Sequence, residues 1–273
     1  MTQSRWTLDA LRLVCPWLAT HSCSGVHRVL AALGIHAIRG RDHVHSPDPA
    51  YEAKCAFIED CLAQARCSSG RVVVVYEDEV TFYRQPTLAT AYAAVGEQPL
   101  AERSYRTNTT TRVAGALDAL SGQTLYRRRS ALGVDHLVGF YQELCAAYPQ
   151  ARRIYMVQDN WPVHFHPDLL VALEPQESPF PLHQLSWSPD PSAGAVRRWG
   201  ELELPIQVVP LPTYASWLNP IEKLWRWLKQ EVLHLHRLAD DLDLVRQRVD
   251  AFLDQFAVAS PELLRYVGLA VPD

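Results

Sequence analysis

Long hydrophobic runs are missing from this sequence. Its apolar stretches, such as Val72 to Tyr76, are far shorter than the roughly 20 residues that a membrane helix needs. Residues 1–6 show no basic start followed by an apolar block, so no secretory signal is visible. We therefore expect no membrane span, no export and a cytoplasmic location.

Closely spaced cysteine pairs are also missing. The six cysteines include no C-x-x-C pair, and a chain of 273 residues with 48% hydrophobic residues can form a sizeable core without disulfides. Cys55, Cys61 and Cys67 recur at a regular interval, but structural zinc sites favour shorter spacings. We expect reduced, mostly buried thiols and at most two domains.

Lysine is scarce, since only Lys54, Lys223 and Lys229 occur among 26 basic residues. The net charge of -4 excludes a polycation, so any nucleic-acid contact must depend on local patches. Arginine clusters supply such patches, and its planar fork suits phosphate. Solvated arginine faces without a ligand would give the same pattern. The clusters comprise Arg127, Arg128 and Arg129, the pair Arg152 and Arg153, and the pair Arg197 and Arg198.

The first 35 residues predict two short helices. Residues 7–19 have helical apolar spacing until Pro16, and residues 24–33 form a second helical pattern that Gly34 ends. Two short helices across a polar turn are typical of a helix-turn-helix, although helical hairpins are also common in proteins that never bind DNA. In that interpretation Ser24, His27 and Arg28 face a DNA groove.

Carboxylates follow two apolar, β-branched runs. Residues 71–76 predict a buried strand that ends in Glu77, Asp78 and Glu79, and residues 153–157 predict another that ends before Asp159. Ligands gather at strand ends in α/β proteins, although acids also follow strands simply as turn residues. Further strands are predicted over 80–84, 110–118 and 123–128, and helices over 132–147, 219–236, 240–256 and 261–267.

Glu222 has two interpretations. With Asn219 as N-cap and Pro220 at the first helical position, Glu222 occupies the capping-box position that bonds back to the cap. Glu222 also lies one helical turn from both Leu218 and Trp225, at the edge of the apolar stripe, where a side chain can face a cleft.

Three motifs resemble the catalytic core of DDE transposases of the mariner superfamily, in its bacterial insertion-sequence branch. They cover about residues 70–236. The motifs are the strand with Asp78 and Glu79, the Asp-Asn-x-x-x-His of Asp159, Asn160 and His164, and the Leu-Pro-x-Tyr-x-x-x-Leu-Asn-Pro-Ile-Glu-x-x-Trp that ends in Glu222 and Trp225. The helices near the N-terminus resemble more loosely the second half of that family's DNA-reading region.

The resemblance implies an α/β fold, an RNase H-like mixed sheet flanked by helices, with a small N-terminal helix-turn-helix region. It implies that Asp78, Asp159 and Glu222 are catalytic and hold two Mg²⁺ ions, with Mn²⁺ as a substitute. Carboxylate oxygens are the ligands that such hard cations prefer. Asn160, His164 and Glu79 would orient these groups, and the sequence leaves open whether Asp78 or Glu79 faces the metal.

The implied activity is cleavage at the ends of an insertion sequence and strand transfer into target DNA. The implied partners are double-stranded DNA, with terminal inverted repeats and a target, and a second copy of the chain. DNA contacts would come from Ser24, His27 and Arg28 and from the arginines at 127–129, 197 and 198. The implied location is the bacterial cytoplasm, at the nucleoid.

The organisation that we expect has four parts. Asp159 and Glu222 are farther apart than is usual in the family, and an insertion accounts for the surplus because loops absorb length cheaply. The parts are a partial helix-turn-helix region over 1–48, a linker helix over 49–70, an RNase H-like domain over 71–238 with an insertion over 167–205, and C-terminal helices over 239–273.

Two other functions remain open. The first function is that of a catalytically inactive or truncated DNA-binding remnant. It would fit a chain that begins with only the second half of the family's DNA-reading region and that has a low net charge. A zinc hydrolase could use His164 with His166 or His234 with His236, but residues two apart on a helix diverge, and His234 and His236 fall on a predicted helix.

Overall fold

The computed structural model describes residues 6–37, 45–175, 179–180 and 188–270. The chain divides into two compact units, residues 1–44 and residues 45–273. Among the described residues, no helix is both long enough and apolar enough to cross a bilayer.

The small unit contains the two predicted helices. Helix α1 (Leu8–Val14) ends before Pro16, and Thr7 caps its N-terminus by accepting a hydrogen bond from the Ala10 amide. Helix α2 (Cys23–Ala32) begins after Ser22, which accepts from the Gly25 amide. Gly34 has a φ of 73°, the left-handed conformation in which glycine stops helices.

The large unit is built on one five-stranded mixed sheet with the order β3-β2-β1-β4-β5. Strand β1 pairs antiparallel with β2 and parallel with β4, and β4 pairs parallel with β5. The strands are β1 (Val72–Tyr83), β2 (Thr110–Asp118), β3 (Thr124–Arg129), β4 (Arg153–Gln158) and β5 (Ile206–Pro210). The helices are α3 (Tyr51–Cys67), α4 (Val134–Ala147), α5 (Pro167–Leu170), α6 (Ala193–Trp199), α7 (Ile221–Leu228), α8 (Leu242–Leu253) and α9 (Pro261–Val267).

Two apolar clusters cover the two faces of the sheet. Because side chains alternate along a strand, Val74 of β1 joins one cluster and Val75 the other. The first cluster includes residues of α3, α7, α8 and α9, and the second includes residues of α4 and α5. The sheet is therefore buried on both faces, as its continuous β-branched runs predict.

The prediction of two strands over 71–76 and 80–84 is wrong, because β1 runs without a break from Val72 to Tyr83. Its acids lie inside the strand rather than at its end, with Asp78 opposite Gly115 of β2. Acidic residues have low strand propensity, but the pairing with β2 overrides that local preference.

Helix α3, predicted as a linker, is part of the large unit. Ile58, Cys61 and Ala65 are buried in the first cluster, beside Val74 of β1. The chain enters this unit at His45, close to the expected boundary at residue 48.

The segment predicted as an insertion contains α5 and α6. Leu173 and Leu204, near its two ends, pair in an isolated parallel bridge, so these two positions lie side by side. Trp187 of this segment lies outside the described residues.

The predicted helix over 219–236 is shorter than expected. Helix α7 covers Ile221–Leu228 and continues as one π-helical turn over Lys229–Leu233, and His234 is already extended. The terminal helices α8 and α9 agree closely with the predicted ranges.

Candidate functional site

Asp78 is a buried carboxylate in the middle of the central strand, with 8% of its surface exposed. Its Oδ2 accepts a hydrogen bond from Nε1 of Trp225, 3.0 Å away. The ring of Trp225 fits over Gly115, the β2 residue opposite Asp78, where a Cβ would lie 2.5 Å from Cη2 of the indole. The missing side chain of Gly115 therefore lets α7 approach the sheet at Asp78.

Asp159 follows the neighbouring parallel strand β4. The ladder between β1 and β4 ends at Tyr76 and Val157, and both aspartates come two residues later. Asp159 and Asp78 thus lie at the same level on adjacent strands. The Oδ1 of Asp159 accepts from the Trp161 amide at 2.8 Å and lies 3.2 Å from Nδ1 of His164.

Glu222 lies in the first turn of α7, three residues before Trp225. Among the described residues its carboxylate accepts no hydrogen bond and forms no ion pair. The capping-box interpretation is not what the structure contains. Pro220 precedes the helix without a side-chain cap, and Nδ2 of the Asn219 side chain donates instead to the carbonyl of Glu77. Capping of helix α7 therefore does not account for the acidic side chain at position 222.

The pKa of Asp78 depends on the charges of the other two acids, Asp159 and Glu222. Burial, and after it the charges of Glu222, Glu79 and Asp159, raise the pKa of Asp78 to about 8. For Asp159 burial alone would raise the pKa, but hydrogen bonds from His164 and the Trp161 amide outweigh burial and lower it. Like charges that raise a carboxyl pKa can be offset by a bound cation. The oxygen-only donor set of Asp78, Asp159 and Glu222 fits Mg²⁺ or Mn²⁺.

Glu77 and Glu79 lie on the face of β1 opposite Asp78, because successive side chains alternate. There Nε2 of His164 lies 2.9 Å from Oε1 of Glu79 and 3.3 Å from Oε2 of Glu77. His164 therefore connects Glu79 to Asp159. Asp78, rather than Glu79, shares its face with Trp225.

The loop between β5 and α7 is held at several points. Asn160 donates from Nδ2 to the carbonyl of Leu211 at 2.8 Å. Asp48 accepts from the Thr213 amide at 2.9 Å and pairs at 2.8 Å with Lys54, which in turn donates to Leu211. These contacts fix the segment that leads into α7 and its Glu222.

The residues predicted to contact DNA are spread over both units. Ser24, His27 and Arg28 are exposed on α2 and line one shallow depression. Arg129 and Arg197 are exposed as well.

Three other predicted DNA contacts form ion pairs within the chain. Arg127 pairs with Glu143, Arg128 with Asp250, and Arg198 with Asp135. The predicted role of these residues in DNA binding stays a prediction.

The histidine pairs behind the zinc-hydrolase hypothesis do not form metal sites in the described part of the chain. There, the grouping of metal-ligating side chains consists of Glu77, Glu79 and His164. His166 instead accepts from the Asp168 amide, and His234 lies 2.7 Å from the hydroxyl of Thr87.

Sequence reasoning missed Gly115, Asp48 and Glu77 as parts of this site. Gly115 and Asp48 depend on tertiary neighbours and left no local signal. Glu77 did leave a local signal, because an acidic residue directly after five apolar residues is unusual unless its side chain has a specific role in the core.

Residues 73–246 match the family model described as DDE superfamily endonuclease. The protein described as insertion element IS630 uncharacterized 39 kDa protein, from Shigella sonnei, is 22% identical over 247 residues. That alignment covers 90% of this chain, and this chain spans 63% of the relative's length.

Solved structures with a similar fold include Mos1 transposase in its paired-end complex with the left transposon end. The TM-score is 0.56 at 18% identity, with 98% of this chain and 76% of that chain covered. The Mos1 mariner paired-end complex with Mn gives a TM-score of 0.57 at 18% identity and the same coverage. These likenesses establish the RNase H-like fold. Because the family model matches residues 73–246, which are more than half of this chain, the chain belongs to the DDE superfamily endonuclease family.

Proposed function

We propose that this protein is a DNA transposase of an insertion sequence, which cleaves phosphodiester bonds at the ends of its element and transfers the strands into target DNA. The observation that supports the proposal is that the charges of Glu222 and Asp159 both act on the buried carboxyl group of Asp78. Asp78 lies in the middle of β1, Asp159 follows the adjacent strand β4 at the same level, and Glu222 lies in the first turn of α7.

Asp78, Asp159 and Glu222 would hold two Mg²⁺ ions, for which Mn²⁺ can substitute. When bound, two such ions activate the attacking oxygen and stabilise the leaving oxygen of an in-line displacement at phosphorus. The carboxylate of Glu222, which has no partner among the described residues, and the buried carboxyl group of Asp78, whose pKa the neighbouring acids raise, support this assignment, because a nearby cation stabilises the ionised form of both.

The surrounding residues of the chain orient the three acids. Trp225 fixes one oxygen of Asp78 through its indole N–H, and the Trp161 amide together with His164 fixes Asp159. Asn160 and Asp48 hold the loop that leads to Glu222. Such supporting hydrogen bonds typically change metal affinity or activity by 10–100-fold when they are removed.

The substrate in this proposal is double-stranded DNA that carries terminal inverted repeats, and the acting form is a homodimer on DNA at the bacterial nucleoid. The similar solved structures are described as paired-end and strand-transfer complexes of Mos1. The exposed arginines Arg129 and Arg197 and the face of α2 supply candidate contacts to phosphate.

The test uses a plasmid that carries the chromosomal DNA on both sides of the coding sequence. With Mg²⁺ or Mn²⁺, the wild-type protein nicks this plasmid at the repeat ends. Asp78→Asn, Asp159→Asn and Glu222→Gln each remove at least 99% of the nicking and leave the circular dichroism spectrum unchanged. Glu231→Gln is the matched control, since Glu231 is an exposed acid on the same helical segment.

Two results would contradict the proposal. Nicking that is undiminished in all three variants would show that other groups do the chemistry. Salt-sensitive DNA binding with no cleavage under any divalent ion would identify the protein as the inactive remnant considered above.

A further inference from the structure

A second cluster of ligating atoms lies behind the proposed catalytic acids, on the opposite face of β1. It consists of Glu77, Glu79 and His164, whose ligand atoms all lie within 4.8 Å of one another. The proposed transposase chemistry uses neither Glu77 nor the Nε2 atom of His164. Glu77 is not part of the family motif, because it lies one residue before Asp78, where that motif begins.

Glu77 is fully buried, and neither of its carboxylate oxygens accepts a hydrogen bond. A buried carboxylate without hydrogen bonds is costly, so such groups are protonated or bound to a cation. Within the described part of the chain, the Glu77 carboxylate thus accepts no hydrogen bond, and its Oε2 lies 3.3 Å from Nε2 of His164.

The ring of His164 is oriented for a ligand. Its Nδ1 faces Asp159 at 3.2 Å and can donate its proton there, as second-shell carboxylates do for metal-bound histidines. Its Nε2 then carries the lone pair toward the two glutamates.

The distances suit a small cation. Nε2 of His164 lies 2.9 Å from Glu79 and 3.3 Å from Glu77. Three ligands at about 2.1 Å from one ion in tetrahedral geometry are about 3.4 Å apart, so small side-chain shifts suffice. The side chain of Glu79 is 13% exposed, which leaves an approach from solvent.

We propose that Glu77, Glu79 and His164 form a second metal site, which binds one Zn²⁺ or Mn²⁺ ion and fixes His164 against Asp159. An imidazole among carboxylates selects such transition ions over Mg²⁺. The site is structural, because its ligands lie on the face of β1 away from Trp225. It stands or falls independently of the proposed transposase activity.

The first experiment measures bound metal in the full-length protein after tag removal, chelation and dialysis against Zn²⁺ or Mn²⁺. Glu77→Gln, which keeps the shape of the side chain, retains one equivalent fewer than the wild type. Glu222→Gln, which changes only the proposed catalytic acids, keeps that equivalent. Saturating Zn²⁺ raises the thermal midpoint of the wild type and Glu222→Gln by about 5 °C or more, and this increment is absent in Glu77→Gln.

Equal metal content and equal midpoint shifts in wild type and Glu77→Gln would overturn the proposal. A second measurement needs no variant, in case Glu77→Gln does not fold. Crystals of the wild type grown with Zn²⁺ give an anomalous difference peak within 2.5 Å of Nε2 of His164 if the site exists. Absence of that peak would equally overturn the proposal.

Discussion

The indole nitrogen of Trp225 donates to the carboxylate of Asp78, with Nε1 and Oδ2 3.0 Å apart and both side chains buried. The hydrogen bond joins α7 to the central strand at the residue on which the proposed chemistry depends. It also explains why a tryptophan follows Glu222 by three positions. One turn of α7 carries both an acid and the group that orients another acid.

Replacing Trp225 by phenylalanine should therefore weaken the metal response rather than abolish the fold. Trp225→Phe keeps an aromatic ring on Gly115 but removes the donor to Asp78. We expect the Mg²⁺ concentration for half-maximal nicking to rise about 10-fold or more. Trp227→Phe is the control, because Trp227 packs against Phe252 and Tyr266. Equal Mg²⁺ titrations for Trp225→Phe and wild type would contradict this role.

Gly115 tests the close approach of α7 to the sheet. In Gly115→Ala the new methyl group would lie 2.5 and 2.8 Å from two ring atoms of Trp225, so the indole must move. We expect a loss of about 1–3 kcal/mol in the free energy of unfolding, measured with urea.

The control and the coupling sharpen this prediction. Gly133→Ala meets no atom within 4 Å and should change stability by less than about 1 kcal/mol. Because phenylalanine is smaller, combining Gly115→Ala with Trp225→Phe should cost less than the sum of the two single changes. Strict additivity would show that the methyl group does not press on the indole.

Asp48 gives a prediction for the pH dependence of stability. Burial alone would raise its pKa, but hydrogen bonds with Lys54, Thr213 and Ala50 outweigh burial and lower the pKa from 3.8 to about 2. A lowered pKa in the folded state contributes stability above the unfolded value, and that contribution disappears as the pH falls toward 2. The shift corresponds to about 2 kcal/mol at neutral pH.

Asp48→Asn should thus lower the urea midpoint at pH 7, and the difference from wild type should shrink between pH 4 and pH 2. The control is Asp9→Asn, which removes an exposed acid from the small unit. A difference between Asp48→Asn and wild type that stays constant down to pH 2 would mean that the carboxylate charge of Asp48 does not stabilise the fold.

Much of the fold could be predicted from periodicity and turn residues. The β-branched run before Glu77, the strand before Asp159 and the helix over 261–267 all follow local rules. The interior position of Asp78 could not be predicted, because three consecutive acids have low strand propensity and therefore predict that the strand ends before them. Only the pairing of β1 with the small residues of β2 keeps the strand intact.

The residues of the candidate site that belong to a sequence motif could be predicted, whereas the residues that are placed there by tertiary contacts could not. Asp159 and Glu222 each stand in a local motif that resembles the family, whereas Asp48 reaches Thr213 across 165 positions. The capping-box interpretation of Glu222 failed for a related reason. Asn219 finds its hydrogen bond at the carbonyl of Glu77, on a strand 142 positions away, and no local rule anticipates that partner.

The arginine cluster over 127–129 can be divided by experiment into stabilising and DNA-binding members. Arg128 makes two hydrogen bonds to Asp250, at 3.0 and 2.8 Å, and so ties β3 to α8. Arg129, its neighbour, is exposed. We expect Arg128→Gln to cost about 1 kcal/mol of stability and to leave the salt dependence of DNA binding unchanged.

Arg129→Gln and Arg197→Gln should behave in the opposite way. Each should leave the urea midpoint within experimental error and lower the slope of log K against log salt by about 1, because one phosphate contact is lost. Fluorescence anisotropy with labelled duplex DNA at several salt concentrations measures that slope. If Arg128→Gln alone changed the slope, the pairing with Asp250 would have to open on DNA, and Arg128 would then be the contact residue.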